Sequence, residues 1–392
     1  MAPTSHATHD PLLEWRTEFP TVESTLHFIS HSLGAMPRSV EEALRRYAHQ
    51  WKARGIRVWD EGWAALPIEV GDVLGRIIGA APGSVTMLEN CTSAQNVALS
   101  AIDFTAPRNR LVCSGEDFPS ELYLYEGLAR RGVEVVRVPA HDGHEIVEDD
   151  IVAAIDARTA VVAISLVLFR TAQILDITRI VERARAVGAL TLIDAYQAVG
   201  TLPLDVEAMG IDFLTGGSVK WLCGGPGAGY LYVNPSLAPT LKPAVTGWMA
   251  HEHPFDFDSG PMQWHAGARR YWVGTPGVAS FTAAREGYEI VARIGTAAIR
   301  AKSLRQTERM LARADEYGFR VVSPRASERR GGTVVLDVPN ADRVCAALLA
   351  QDVLLDFRPG VGLRLAPHFY TRDDEVDLVM KRVRDEAAKV KH

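Results

Sequence analysis

Asp194 and Lys220 are the residues whose types and spacing suggest chemistry most directly. Asp194 closes the apolar run Leu190–Asp194, and Lys220 stands 26 residues later, just beyond a second predicted strand, Asp212–Thr215. In open parallel sheets, ligands sit beyond the carboxyl ends of the strands. A carboxylate and a lysine at neighbouring strand ends suit pyridoxal phosphate. The lysine binds the aldehyde as a Schiff base, and the aspartate keeps the pyridine nitrogen protonated so that the ring can accept electrons from a substrate carbanion. A buried Asp–Lys ion pair at the sheet ends is the alternative reading of the same two residues.

Positioning them requires a sheet, and the chain supplies the pattern for one. Short β-rich runs at Ser84–Leu88, Arg110–Cys113, Val133–Pro139, Ala160–Leu166, Leu190–Asp194 and Asp212–Thr215 alternate with helical stretches near Ala94–Asp103, Ser120–Arg131, Glu148–Ile155 and Ile177–Val187. Such alternation predicts an α/β fold with a mostly parallel sheet covered by helices on both faces. The runs Ala160–Leu166 and Leu190–Ile193 are almost wholly apolar, as strands buried on both faces should be. Two helices are predicted ahead of this unit, Ser39–Arg57 and about Pro67–Ile78, from apolar residues at three- and four-residue spacing. From about Pro276 the pattern changes. One long helix, Val278–Tyr317, is followed by strand runs Arg320–Val322, Gly332–Val338, Val353–Phe357 and Gly362–Ala366, with helices Ala341–Gln351 and Arg372–Ala388, which together predict a smaller α+β domain. The expected division is an N-terminal tail, 1–23; a segment, 24–66, packing with the small domain; a large domain, 67–275; and the small domain, 276–392.

Composition narrows the class. The chain has 392 residues, 47% of them hydrophobic, and a net charge of −6. A mildly acidic protein is a poor nucleic-acid binder, which would need basic patches. The longest apolar run, Ala160–Phe169, is far short of the ~20 residues that cross a bilayer, so no membrane association is expected. No secretion signal is recognisable in residues 1–11. The cysteines Cys91, Cys113, Cys223 and Cys345 are widely spaced, with no CxxC pair, and predict neither disulfides nor zinc; a reducing cytoplasm is the expected location.

Several stretches, taken in order, resemble the class V aminotransferase group of pyridoxal phosphate enzymes (fold type I), and within it the kynureninase-like branch. They are Phe28-Ile29-Ser30-His31-Ser32-Leu33-Gly34, the Trp-rich stretch Trp59–Pro67, Asp117-Phe118-Pro119-Ser120-Glu121, Phe169-Arg170-Thr171, Ser218-Val219-Lys220-Trp221, Gly247-Trp248, Gly274-Thr275-Pro276 and Arg364-Leu365-Ala366-Pro367. The resemblance covers about residues 24–380. It implies a homodimer with the active site at the subunit interface. Lys220 and Asp194 would be catalytic. Thr92 and Ser93, at a helix start, would hold the cofactor phosphate with help from the helix dipole. Phe118 would stack on the pyridine ring, and Ser218, Trp248 and Thr275 would add phosphate contacts, partly across the dimer. Arg364 would grip the substrate α-carboxylate with its planar fork, while His31, Trp63 and Arg170 would shape side-chain selectivity.

Three departures from the kynureninase pattern point to a related but different substrate. Val219 replaces a tyrosine that serves as phosphate ligand and proton-transfer group. Gln197 stands where kynureninases carry histidine, still able to bond the cofactor's 3′-oxygen. Glu121 replaces an aspartate. The resemblance implies a lyase or hydrolase that cleaves a C–C or C–S bond in an amino-acid side chain. An aminotransferase or racemase, and a non-catalytic binding protein of the same fold, are the alternatives. Desulfurase activity is disfavoured because no cysteine follows Cys345 near Arg364. His251-Glu252-His253 lacks a third ligand at a fixed spacing, so no metal is expected.

Overall fold

The structure is a computed structural model that describes residues 10–142 and 144–389. Its centre is a seven-stranded sheet of β1 (Val85–Leu88), β2 (Arg110–Ser114), β3 (Glu134–Val138), β4 (Thr159–Ser165), β5 (Leu190–Asp194), β6 (Phe213–Gly217) and β7 (Gly229–Val233). The spatial order is β1-β7-β6-β5-β4-β2-β3. The sheet is parallel from β6 to β3, and β7 runs antiparallel to both β1 and β6. The mostly parallel α/β fold expected from the alternation is therefore observed. The sequence reading missed β7, whose Gly-Tyr-Leu-Tyr-Val run directly follows the glycine-rich turn after Lys220.

The helices cover both faces. They are α1 (Ser39–Arg54), α2 (Leu66–Ile78), α3 (Cys91–Leu99), α4 (Pro119–Ala129), α5 (Glu148–Ala154), α6 (Thr178–Val187), α7 (Val278–Ile294), α8 (Thr296–Tyr317), α9 (Ala341–Leu349) and α10 (Asp373–Lys389). Asn90 caps α3 by accepting the Ser93 N–H at 2.8 Å. Pro119 opens α4, where its missing N–H has no intrahelical bond to lose. The single long helix expected over Val278–Tyr317 is instead two. Gly295 breaks it at φ +83°, a conformation that favours glycine.

The C-terminal unit has its own antiparallel sheet of β8 (Arg320–Val321), β9 (Val334–Asp337), β10 (Asp356–Arg358) and β11 (Gly362–Leu365), in the order β10-β11-β9-β8. The expected strand Val353–Phe357 is split. Val353–Leu354 pairs in parallel with Leu26–His27, while Asp356–Arg358 pairs with β11. Phe28 is buried in the core of this sheet with Leu336, Leu363 and Val379.

The division expected at residue 276 does not match the cores. Val278, Phe281, Tyr288 and Val291 of α7 pack in the same core as Val70, Leu74 and Ile78 of α2. Residues 10–23 are not a tail either. Pro11–Glu18 forms a 3-10 helix, Arg16 forks onto Glu375 at 2.7 and 2.9 Å, and Asp10 pairs with the buried Lys302 at 2.9 Å. The rest of the expected tail, 1–9, lies outside the described residues. Among the described residues, no helix is long and apolar enough to cross a membrane.

Gly287 shows how tightly the lysine loop is seated. It faces the Leu222 and Cys223 carbonyls from inside α7, and a Cβ there would overlap both. Alanine would add about 1 kcal/mol of helix propensity. The obstacle is backbone that cannot rotate away, and overpacking of this kind costs about 1–3 kcal/mol or more. Gly287→Ala should therefore be net destabilising, read as a lower urea midpoint at unchanged slope.

Candidate active site

Parallel register sets the site. Ser165 and Asp194 close β4 and β5 and stand abreast of Thr215 in the middle of β6. Beyond them opens a cleft of 210 Å³ whose lining includes Asn90, Thr92, Phe118, Glu121, Asp194, Tyr196, Gln197 and Lys220. Asp194 is buried. Its Oδ1 accepts the Tyr196 N–H at 2.7 Å, and the Cys91 thiol approaches the same atom at 4.0 Å. Beneath it, Gln95 donates to Thr215 Oγ1 at 3.3 Å and accepts from the Tyr125 hydroxyl at 3.0 Å, so the floor of the cleft is a connected polar network.

Lys220 faces Asp194 across this cleft but does not pair with it. Neither residue makes a salt bridge among the described residues. The lysine amine lies instead between two rings, 4.0 Å from the Tyr196 centroid and 5.7 Å from that of Phe118. The alternative reading of the two residues, a buried ion pair, is thus not what the chain forms. Burial pulls the Lys220 pKa down to about 8; Asp194 pushes it back up, and Arg364 lowers it further.

Glu121, at the position where kynureninases carry aspartate, lies against Asp194, and its Oε2 is buried without a partner. Burial, reinforced by the Asp194 charge, raises its pKa well above the usual carboxylate value. Asp117 in the same turn was not anticipated as a structural residue. Its carboxylate accepts the Ser114 and Ser165 N–H groups at 2.8 Å each and so pins the Phe118 turn to β2 and β4. Burial raises its pKa to about 7 against the pull of those bonds.

The other expected residues are distributed unevenly. Thr92 and Phe118 line the cleft, and Phe118 meets Phe169 edge-to-face at 5.1 Å. Gln197 donates to the His31 carbonyl at 3.0 Å and accepts from the Trp221 indole at 2.9 Å, which leaves one amide hydrogen for a ligand. Ser93 is placed beside the cleft at the α3 cap and is not part of the lining. Ser218 departs from expectation. It is fully buried, and its hydroxyl donates to the Ala228 carbonyl at 2.7 Å and bonds the Tyr288 hydroxyl at 2.6 Å, so it has no face toward the cleft. Trp248 and Thr275 also lie outside the lining. Trp248 instead stacks on the exposed Phe257, with ring centroids 5.7 Å apart. Arg170 is half-exposed over Phe169 and 3.4 Å from Glu116.

Arg364 and His31 meet through a residue the sequence reading did not single out. Asp356, paired opposite Arg364 in the β10–β11 ladder, accepts Arg364 Nε at 2.8 Å and Nη2 at 2.6 Å, and His31 Nε2 at 2.9 Å. Arg364 Nη1 donates to the carbonyl of Phe169 at 2.7 Å and so ties the small sheet to the cleft wall. Burial alone would raise the Asp356 pKa; the bonds from His31 and Arg364 outweigh it and hold the carboxyl well below its usual range. Burial lowers the His31 pKa to about 4, with Arg364 adding to the effect. The D-x-R…R spacing of Asp356, Arg358 and Arg364 was the available signal, but pairing across a two-strand turn is invisible without the register.

The profile of the family described as Aminotransferase class-V matches residues 34–356. A kynureninase of Bacillus thuringiensis subsp. konkukian (strain 97-27) is 33% identical over 377 residues, covering 92% of this chain and 87% of that one. A kynureninase of Geobacillus thermodenitrificans (strain NG80-2) is 31% identical, covering 96% and 92%. Among solved structures, an apo cysteine desulfurase from Thermococcus onnurineus NA1 superposes with a TM-score of 0.85 at 19% identity, covering 98% of this chain and 99% of that one. The cystine C-S lyase C-DES, in complex with its product cysteine persulfide, gives 0.83 at 19% identity, covering 94% and 99%.

Removing Asp356 would strand the buried Arg364 guanidinium, and breaking a buried pair in this way costs about 3–5 kcal/mol. Asp356→Ala should lower the unfolding free energy by that order. His31 makes a separate contribution with a defined pH window. Its folded pKa of about 4 lies below the unfolded value of about 6.5. The unfolded chain then binds more protons between those values, so this contribution is present above about pH 6.5 and lost as the pH falls toward 4. His31→Gln should flatten the slope of stability against pH in that window, measured by urea titrations from pH 7 to 4.

Proposed function

We propose, from the premise that this chain belongs to the class V aminotransferase family, that the cleft holds pyridoxal phosphate through Lys220 and cleaves a side-chain bond of an amino acid. The protein is a pyridoxal phosphate-dependent lyase or hydrolase acting on amino acids. The observation that carries the site assignment is the unpaired juxtaposition of Lys220 and Asp194. A lysine with a lowered pKa and a buried carboxylate share one cleft, with an aromatic wall at Phe118 and a helix start at Thr92. That donor set fits the cofactor. When bound, pyridoxal phosphate supplies an aldehyde for the amine and a ring that takes up negative charge from the substrate Cα.

Each residue has a task within that reading. Lys220 would hold the aldehyde, and its amine, with a pKa lowered by burial to about 8, would serve as the base toward the substrate Cα proton. Asp194 keeps a proton on the ring nitrogen. Phe118 would cover the ring, Gln197 would offer its free amide hydrogen to it, and Thr92 and Ser93 would hold the phosphate. Arg364 takes the substrate carboxylate. Asp356 and the Phe169 carbonyl use three of its five N–H groups, leaving one on each terminal nitrogen, which is what a forked carboxylate pair needs. His31 and Arg170 shape the side-chain end of the pocket. Trp248 and Thr275 act across a homodimer, consistent with their position outside their own chain's cleft and with the exposed Trp248–Phe257 stack. A cytoplasmic location fits the four free cysteines.

Borohydride treatment of the holoenzyme should fix the cofactor to Lys220, located by peptide mass, and Lys220→Ala should abolish that adduct; an adduct on another lysine would overturn the assignment. A screen of amino acids including kynurenine and S-substituted cysteines, read by product mass without added keto acid, identifies the bond cleaved. On the substrate it identifies, Arg364→Lys should raise KM by about 10- to 100-fold, because an ammonium lacks the fork. The corresponding decarboxylated amine should be poor for both forms.

A further inference from the structure

Resting on the cofactor reading above, we propose that Tyr196 supplies the phosphate-binding phenol of this site, in place of the tyrosine that Val219 has replaced. Val219 offers no hydroxyl. Tyr196 lines the cleft together with Thr92 and Lys220. Its backbone is fixed by the N–H bond to Asp194 Oδ1, and its ring lies against the Lys220 amine. Its hydroxyl makes no hydrogen bond among the described residues, although the ring is largely buried. The phenol is therefore free to donate to a ligand in the cleft.

Space has been made for it. A Cβ at Gly217 would overlap Tyr196 Cζ and Oη. Gly217 closes β6 and is not among the glycines with positive φ, so its backbone does not require glycine. What requires glycine there is the phenol. The Tyr196 hydroxyl is lodged where a side chain two residues before Val219 would otherwise sit. Ser218 between them is turned into the core, bonded to Ala228 and Tyr288, and cannot serve instead. Cys91, which opens α3, lines the cleft together with Tyr196. That end of α3 carries Thr92, on the phosphate side of the cleft. Tyr196 and Gly217 thus form a complementary pair, one supplying the hydroxyl and the other the room.

The test compares two probes that differ only in the phosphate. Full-length protein is stripped of bound aldehyde with hydroxylamine, and its affinities for pyridoxal phosphate and for pyridoxal are measured by fluorescence titration. Tyr196→Phe keeps the ring and removes the hydroxyl. It should weaken pyridoxal phosphate binding by about 10- to 100-fold, the loss expected of a hydrogen bond to a charged group, and leave pyridoxal binding unchanged. Gly217→Ala, which displaces the phenol, should reduce the same preference, with folding checked by circular dichroism. An unchanged preference in Tyr196→Phe, or an equal loss for both probes, overturns the proposal while leaving the cofactor reading intact. If the wild-type chain binds neither probe, the cofactor reading itself fails and this proposal fails with it.

Discussion

The parallel pairing of β5 with β6 is the constraint on which the site depends. It sets Asp194 opposite Thr215, and the Ala195 N–H continues the ladder by donating to the Thr215 carbonyl at 2.8 Å. Both strands are buried on both faces, so their register is held by core packing over their full length. Asp194 and the loop carrying Lys220 therefore leave the sheet at adjacent, fixed points. A slip of one residue would turn Asp194 into the helix layer and leave the lysine facing apolar side chains.

Keeping the two groups close without pairing them is the less common arrangement. A carboxylate and an ammonium in one low-dielectric cleft attract strongly. Here the aromatic rings of Tyr196 and Phe118 hold the amine, and the backbone and Cys91 occupy one Asp194 oxygen. Lys220 loses more by desolvation than it regains from Asp194, which is why its pKa falls. Burial and the Asp194 charge both disfavour ionisation of Glu121, so the floor resists a second charge beside Asp194.

The second anchor is the Asp356 carboxylate. It joins Arg364 of the C-terminal sheet to His31 of the N-terminal segment, and Arg364 reaches the cleft wall at the Phe169 carbonyl. The His31 carbonyl in turn accepts the Gln197 amide. Three stretches far apart in sequence are thus locked around one cleft by charge-assisted bonds. Because those groups are buried, altering any one leaves the others short of a partner, which couples the geometry of the carboxylate clamp to the stability of the whole chain.

The sequence by itself determined the α/β alternation, the strand ends that carry Asp194 and Lys220, and the family resemblance. These rest on local periodicity and short motifs, which act within a few residues of chain. Phe118, Thr92 and Gln197 were legible for the same reason. The helix break at Gly295, strand β7 and the split of Val353–Phe357 were not, because each depends on which neighbour a segment meets. Only tertiary structure turned Ser218 inward, brought Asp356 between Arg364 and His31, and lodged the Tyr196 phenol over Gly217. Those outcomes are set by side-chain volume and by hydrogen bonds between residues up to 325 positions apart, and such contacts leave no periodic trace in the chain.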